Sequence, residues 1–316
     1  MTFVPRFLII TLAAFGATGL AMSALLPLLW RQPRGSAAAR ATALFRIRLM
    51  PVAASIAASL LAIAALARFE PREGFERTGV TLLFFAIAAL ATASAMVASL
   101  VSGQRAARRA MRIWMASAET VALPGIEVPA YAIRSPFPIV AIVGTVRPRL
   151  IVARSVLDTC SHRELRAIVA HERRHLQNHD NARRAILSAV PDVLTWLPFS
   201  TRITEMWHAA AEEAADDAAA QGSPSARVDL ASALVRVARL AIGQPLADLP
   251  ASALYRGGNE NIECRVRRVL DGTAALDSKT RPSRWLVLAL GVLFVISLFT
   301  LHPVHELVEV AVAYLP

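Results

Sequence analysis

Residues 171–181 read HERRHLQNHDN, and the first five of them form the pattern His-Glu-x-x-His. Residues i and i+4 of a helix lie on one face, so the imidazoles of His171 and His175 can reach a single metal ion. Glu172 follows the first histidine, where its carboxylate can take a proton from a water molecule activated by that ion. This stretch therefore predicts a helix that carries a metal site and a general base.

The helix is expected to begin near residue 161, because Ser161 can cap it and Glu164 stands three residues later, as in a capping box. Upstream, residues 139–143 and 150–153 are rich in valine and isoleucine, which predicts a hairpin or two short strands of a small β-sheet. The segment 150–153 is a candidate for pairing with an extended substrate, with core packing as the alternative. Further helices are predicted at 183–198, 201–221, 225–243 and 259–271.

A catalytic zinc site needs a third protein ligand and one open position. His179 continues the i, i+4 series, but it would lie about 12 Å along the helix axis from His171, too far to share one ion. The third ligand must therefore come from another helix. Asp180 can accept the free ring N–H of His175, or it can simply be a residue of the turn that ends the helix.

The best source of that ligand is the segment 212–217, which reads EEAADD within an alanine-rich stretch. A glutamate with an aspartate four residues later puts a ligand and a supporting carboxylate on one helix face. Glu212 with Asp216 and Glu213 with Asp217 both have this spacing. The spacing alone leaves the two pairs open.

The composition indicates a membrane protein. The chain has 316 residues, of which 55% are hydrophobic and 18% are charged, whereas about 25% charged residues are usual for soluble domains. Its apolar residues form uninterrupted runs that are long enough for transmembrane helices, at about 7–30, 49–67, 78–101 and 285–301. The two cysteines exclude a disulfide framework and a multi-cysteine zinc cage.

Loop charges orient these spans. Arginine clusters without acids follow the first and third runs, and arginine excess marks the cytoplasmic side. Residues 1–104 are thus predicted to hold three transmembrane helices, 105–284 a cytoplasmic domain, 285–301 a fourth span and 302–316 a short external tail. Residues 105–120 fit either a basic amphipathic helix on the membrane or an extension of the third span. The arginine clusters explain much of the net charge of +11, and direct nucleic acid binding is not expected.

HERRHLQNHDN followed by EEAADDAAA, within this topology, resembles the BlaR/MecR-type membrane metallopeptidases. These are antirepressor proteases, distantly related to HtpX and the CAAX prenyl proteases. The resemblance implies a mainly α membrane protein with a gluzincin-like zinc metallopeptidase domain and cleavage of a cytoplasmic transcriptional repressor. The glutamate ligand of these families lies four residues before the first Asp of an A-D or C-D pair, which favours Glu212 with Asp216. The antibiotic sensors among them continue into a large extracellular domain, whereas residues 302–316 cannot fold alone, so β-lactam sensing is not expected.

Together these arguments predict a multi-pass zinc endopeptidase of the bacterial cytoplasmic membrane, with its active site on the cytoplasmic side. Its Zn²⁺ ligands, general base and supporting carboxylates would be His171, His175, Glu212, Glu172, Asp216 and Asp180. Its partners would be the lipid bilayer and a cytoplasmic protein substrate, a DNA-binding repressor, and a homodimer is left open. An oxyanion donor is sought among His208, Tyr255 and Arg265. The alternatives are a quality-control protease of the HtpX kind and a catalytically silent signalling scaffold.

Overall fold

The structure is a computed structural model that describes residues 3–28, 30–69, 79–190, 199–221, 223–244, 259–272 and 310. In these parts of the chain the protein is mainly helical, with one small mixed β-sheet. The predicted fourth span at 285–301, the tail after it except for residue 310, and Tyr255 lie outside the described residues.

Three long helices come first in the chain, α1 (Phe3–Leu28), α2 (Ala37–Phe69) and α3 (Val80–Met115). Each is long and apolar enough to cross a membrane. α1 packs against both α2 and α3. The approach to α3 depends on Gly16, since a Cβ atom there would lie 2.2 Å from the carbonyl oxygen of Phe85.

α3 continues well beyond its apolar run. Its 36 residues rise about 54 Å, whereas the hydrocarbon core of a bilayer is about 30 Å thick. Of the two interpretations of residues 105–120, an extension of the third span is therefore confirmed as far as Met115. The last turn of this extension packs Met111, Trp114 and Met115 against the core around the sheet.

The sheet contains four strands, β1 (Glu119–Val121), β2 (Ala130–Ile133), β3 (Val140–Val143) and β4 (Arg149–Ala153), in the order β1-β2-β4-β3. β4 is parallel to β2 and antiparallel to β3. The predicted hairpin is confirmed, and its turn begins at Gly144, whose φ of +101° favours glycine. Of the two interpretations of residues 150–153, core packing is confirmed. Pairing with a substrate is wrong, because β4 already has a strand on each side.

The described part of the chain after the sheet contains six further helices, α4 (Arg154–Thr159), α5 (His162–Gln177), α6 (Asp180–Ala189), α7 (Phe199–Ala220), α8 (Pro224–Ala241) and α9 (Asn259–Asp271). The helices predicted at 201–221, 225–243 and 259–271 are confirmed within a few residues. The helix predicted at 183–198 starts earlier, at Asp180, and residues 191–198 lie outside the described ones. The capping box of α5 is confirmed, with the Glu164 amide donating to the Ser161 hydroxyl and the Ser161 amide donating to the Glu164 carboxylate.

Two hydrophobic clusters hold these elements together. The larger one packs β2, β3 and β4 against α5 and α8, with Ile151, Ile168 and Leu230 among its fully buried side chains. The smaller one joins α2 to α7 through Leu44 and Trp207. The second cluster thus attaches α7 directly to a helix long enough to cross the membrane.

Candidate metal centre

The two histidines of α5 meet a glutamate of α7 in the interior of the protein. The Nε2 atoms of His171 and His175 are 3.2 Å apart. The Oε2 atom of Glu212 lies 3.5 Å from Nε2 of His171, and its Oε1 atom lies 3.5 Å from Nε2 of His175. All three side chains are buried, and one ligand atom from each lies within 4.8 Å of the others. A single ion can therefore be held between the two helices.

The opposite ring nitrogens of both histidines face carboxylates. Nδ1 of His171 is 3.0 Å from Oδ1 of Asp216, and Nδ1 of His175 is 2.7 Å from Oδ2 of Asp180. A proton on each Nδ1 leaves both Nε2 lone pairs directed at the same point, beside the Glu212 carboxylate. Three electron-rich atoms at this distance repel one another unless a cation lies between them, so the donor set fits a metal such as zinc.

The charges around His171 and Glu212 are strongly coupled. Burial lowers the pKa of His171, but hydrogen bonds to Asp216 and Glu212 outweigh this effect and raise it to about 9. Burial raises the pKa of Glu212, but the nearby His175, His171 and Arg265 together hold it well below its ordinary value. The carboxylate of Glu212 is therefore ionised, as a metal ligand must be, whereas His171 releases its second proton when an ion binds.

Glu172 lies next to this cluster, on the side of the sheet. Its Oε2 atom accepts a hydrogen bond of 3.2 Å from the backbone N–H of Ile142 in β3. Its Oε1 atom is buried and has no hydrogen-bond partner among the described residues. Burial raises the pKa of Glu172, which is the direction that a general base working near neutral pH requires.

α9 supplies an arginine that supports Asp216. Nε and Nη2 of Arg265 donate hydrogen bonds of 2.8 Å to the two oxygens of Asp216, and Nη1 lies 3.4 Å from Oε2 of Glu212. Burial raises the pKa of Asp216, but Arg265 outweighs this effect and the pKa falls to about 2. Arg265, a sequence-based candidate for the oxyanion donor, thus uses two of its nitrogens to hold the carboxylate behind His171. The other described candidate, His208, packs its ring edge-on against Trp207.

A sharp turn brings Asp180 back to His175. His179 has a φ of 54°, the one described non-glycine residue with a positive φ, and α6 begins immediately after it. Asp180 is therefore the first residue of a new helix, and not a residue of the turn that ends α5. The side chain of Asn181 donates hydrogen bonds of 2.8 and 3.2 Å to the carbonyls of Ile142 and Gly144, which ties α6 to the edge of the sheet.

Sequence reasoning missed Arg184, four residues after Asp180 on α6. It is buried, and its Nη2 atom lies 3.2 Å from Oε1 of Glu212. One sequence feature could have indicated it. Residues 180 and 184 lie on the same face of a helix, so a contact of Asp180 with the metal site places Arg184 near that site too.

The two acidic pairs of α7 face in different directions. Glu212 and Asp216 face the histidines, as described above. Glu213 instead forms an ion pair with Arg40 of α2, and Arg268 of α9 lies 3.7 Å from Glu213 and 2.5 Å from Asp217. Of the two pairs that the spacing left open, the structure therefore brings Glu212 and Asp216 to the histidines and directs Glu213 and Asp217 towards arginines.

A buried His-Glu-x-x-His helix whose histidines meet a glutamate from a second helix is the arrangement of a metallopeptidase. Three helices within the described residues are also long and apolar enough to cross a membrane. The family model described as BlaR1 peptidase M56 matches residues 44–269. The chain belongs to this family, whose members are membrane metallopeptidases of BlaR1-type signalling. No curated protein matches the chain significantly.

Proposed function

We propose that this chain is a zinc-dependent endopeptidase of the bacterial cytoplasmic membrane, which cleaves a cytoplasmic transcriptional repressor in a signalling pathway. Family membership supports the class of reaction, and the three apolar helices support the location. The observation that carries the proposal is the meeting of His171, His175 and Glu212, with Glu172 beside them.

His171, His175 and Glu212 would hold the zinc ion, which, when bound, polarises the scissile carbonyl and activates a water molecule. Asp216 and Asp180 keep the two imidazoles in one tautomer and orientation.

Glu172 carries the proton through the reaction. Its carboxylate takes a proton as water adds to the peptide carbonyl, and then passes that proton to the amine as the C–N bond breaks. The products are a carboxylate and an ammonium group: Glu172 passes one proton of the water to the amine, and the proton of the hydroxyl that was added to the carbonyl carbon also ends on the amine. The hydrogen bond from Ile142 fixes the Glu172 carboxylate at the edge of β3.

The substrate is proposed to pair with β3. Among the described strands β1 and β3 are the outer ones, and β3 is the outer strand that contacts α5. An extended segment can add to a sheet edge through backbone hydrogen bonds. Asn181 already binds the carbonyls of Ile142 and Gly144, and Glu172 binds the N–H of Ile142, so the substrate would pair with the part of β3 before Ile142.

Two contacts support placement of the site on the cytoplasmic side. The arginine-rich beginning of α2 contacts α7, which carries Glu212, through the ion pair between Arg40 and Glu213. The arginine-rich end of α3 packs Trp114 against the core around the sheet. Both clusters that the positive-inside rule assigns to the cytoplasm therefore lie at the same end of the bundle as the metal centre.

The test combines metal analysis with a search for fragments. We expect one zinc ion per chain in the wild-type protein and in Glu172→Gln, and loss of zinc in His171→Ala. Mass spectrometry of cytoplasmic proteins should show a repressor fragment with the wild-type enzyme and none with Glu172→Gln. Fragments from many unrelated proteins would instead favour quality control, and an unchanged signalling phenotype of Glu172→Gln would favour a scaffold.

A further inference from the structure

We propose that Arg184 is a catalytic residue of this site, which donates hydrogen bonds to the scissile carbonyl oxygen as that oxygen becomes negatively charged. The inference rests on the proposed peptidase function and adds a residue that the His-Glu-x-x-His motif does not contain. It begins from the position of Arg184. Asp180 and Arg184 stand one helical turn apart on α6, and Asp180 contacts His175 while Arg184 contacts Glu212. The guanidinium therefore lies within the metal centre.

Arg184 has more donors than the described residues use. A guanidinium carries five N–H groups, and the side chain is only 7% exposed. Nη2 has one acceptor, Oε1 of Glu212 at 3.2 Å, and the buried Nε has no acceptor in the described parts of the chain. A buried donor without an acceptor is unfavourable, and a catalytic role is one of the reasons for which proteins keep such a group.

The other buried arginine of the site is placed differently. Arg265 donates two parallel hydrogen bonds to Asp216, an arrangement that fixes the plane of its guanidinium. Arg184 is held through a single nitrogen. Arg265 is therefore suited to positioning Asp216, whereas Arg184 is suited to binding an additional anionic oxygen.

The reaction creates such an oxygen. When water adds to the peptide carbonyl and Glu172 takes its proton, the carbonyl oxygen gains a negative charge, which is lost again when the C–N bond breaks. Donors that are already in place in a water-poor site stabilise this charge far more than donors in bulk water do. Arg184 is a permanent cation, so it does not compete with Glu172 for the proton.

A role in holding the metal site together would have a different signature. Arg184 binds the carboxylate of Glu212, which is also the proposed zinc ligand. If Arg184 only supported Glu212, its removal would weaken zinc binding. As an oxyanion donor it acts after zinc is in place, and loss of a neighbouring cation leaves zinc binding unchanged or tighter.

The experiment uses the full chain in detergent micelles, with Arg184→Gln, Arg184→Lys and Glu172→Gln. Arg173→Gln is the matched control, because Arg173 lies on the exposed face of α5 and pairs with the exposed Glu127. The probe is a quenched fluorogenic peptide that the wild-type enzyme cuts in a mixed peptide library. Zinc affinity is measured separately by competition with a chelator.

We expect kcat of Arg184→Gln to fall by about 10²–10³-fold, as for loss of an oxyanion donor in other hydrolases, with KM within about threefold. Arg184→Lys should recover part of kcat, and Arg173→Gln should match the wild type. Zinc affinity of Arg184→Gln should be equal or higher. The inference would be overturned if kcat of Arg184→Gln stayed within threefold of the wild type. It would also be overturned if zinc affinity fell in both Arg184→Gln and Arg184→Lys. The proposed function fails separately, if the wild-type protein and Glu172→Gln are equally active.

Discussion

Nδ1 of His175 lies 2.7 Å from Oδ2 of Asp180, although the two residues belong to different helices. The left-handed conformation of His179 reverses the chain between α5 and α6 and so makes this contact. A ligating histidine usually donates its other ring N–H to a carboxylate, a backbone carbonyl or water. Here the partner comes from the first residue of the next helix.

This contact predicts that Asp180→Asn weakens zinc binding by about 10–100-fold, because the amide keeps the size of the side chain but cannot hold the imidazole N–H as strongly. Asp158→Asn, at an exposed position of α4, is the control. The measurement is a chelator competition with the purified protein. Equal zinc affinities of the two variants would contradict the role of Asp180.

The opposed directions of Glu212 and Glu213 predict different losses. Glu212→Gln should lose stoichiometric zinc, as determined by elemental analysis. Glu213→Gln should keep its zinc but unfold at a lower temperature, because Arg40 and Arg268 then face a neutral amide. We expect a cost of about 1 kcal/mol for these half-exposed pairs. Zinc loss in Glu213→Gln alone would reverse the assignment of the third ligand.

Glu164 predicts a pH-dependent contribution to stability. Burial raises its pKa, but hydrogen bonds from Ser232, Ser161 and Arg236 outweigh this effect and lower it from 4.5 to about 2. Because the folded-state pKa is the lower one, the stabilisation is complete above pH 4.5 and is lost as the pH falls towards 2. It amounts to roughly 2–3 kcal/mol at neutral pH.

Thermal unfolding of Glu164→Gln and of the wild type, followed from pH 7 downward, checks this prediction. The difference between their melting temperatures should be constant near neutral pH and shrink below pH 4.5. Glu127→Gln, whose carboxylate is exposed, should show no such difference. A difference that does not change with pH would mean that Glu164 acts through packing alone.

The contact of α1 with α3 predicts that Gly16→Ala is destabilising, since its Cβ atom would lie 2.2 Å from the Phe85 carbonyl oxygen. The two helices must move apart, at a cost of about 1–3 kcal/mol. Gly103→Ala is the matched control within α3, because nothing lies within 4 Å of a Cβ atom there. Thermal unfolding in detergent should show a lower midpoint for the first variant only.

Sequence patterns predicted the local features well. The capping box of α5 and the spacing of its two histidines involve residues one turn apart, so helix geometry alone determines them. β1 and β2 escaped prediction because they have three and four residues and are defined by their pairing with each other and with β4. The central position of β4 likewise depends on pairing with β2, about 20 residues away in the chain.

The site shows the same division. Glu212 and Glu213 are equivalent in an alanine-rich segment, and only the packing of α7 against α5 and α2 decides which one faces the histidines. Arg184 stands in a polar stretch where an arginine is usually exposed. Helix α6 packs against α2, α3 and α5, and Arg184 reaches Glu212 of α7, contacts between distant segments that no periodicity reveals.

The neighbouring positions 212 and 213 have a mechanical consequence. Glu212, which faces the imidazoles, is followed directly by Glu213, which forms an ion pair with Arg40 of α2. Trp207 of the same helix packs in one cluster with Leu44 of α2. A displacement of α2 along its axis would therefore shift α7 and its Glu212 carboxylate as well, because the ion pair and this apolar contact couple the two helices.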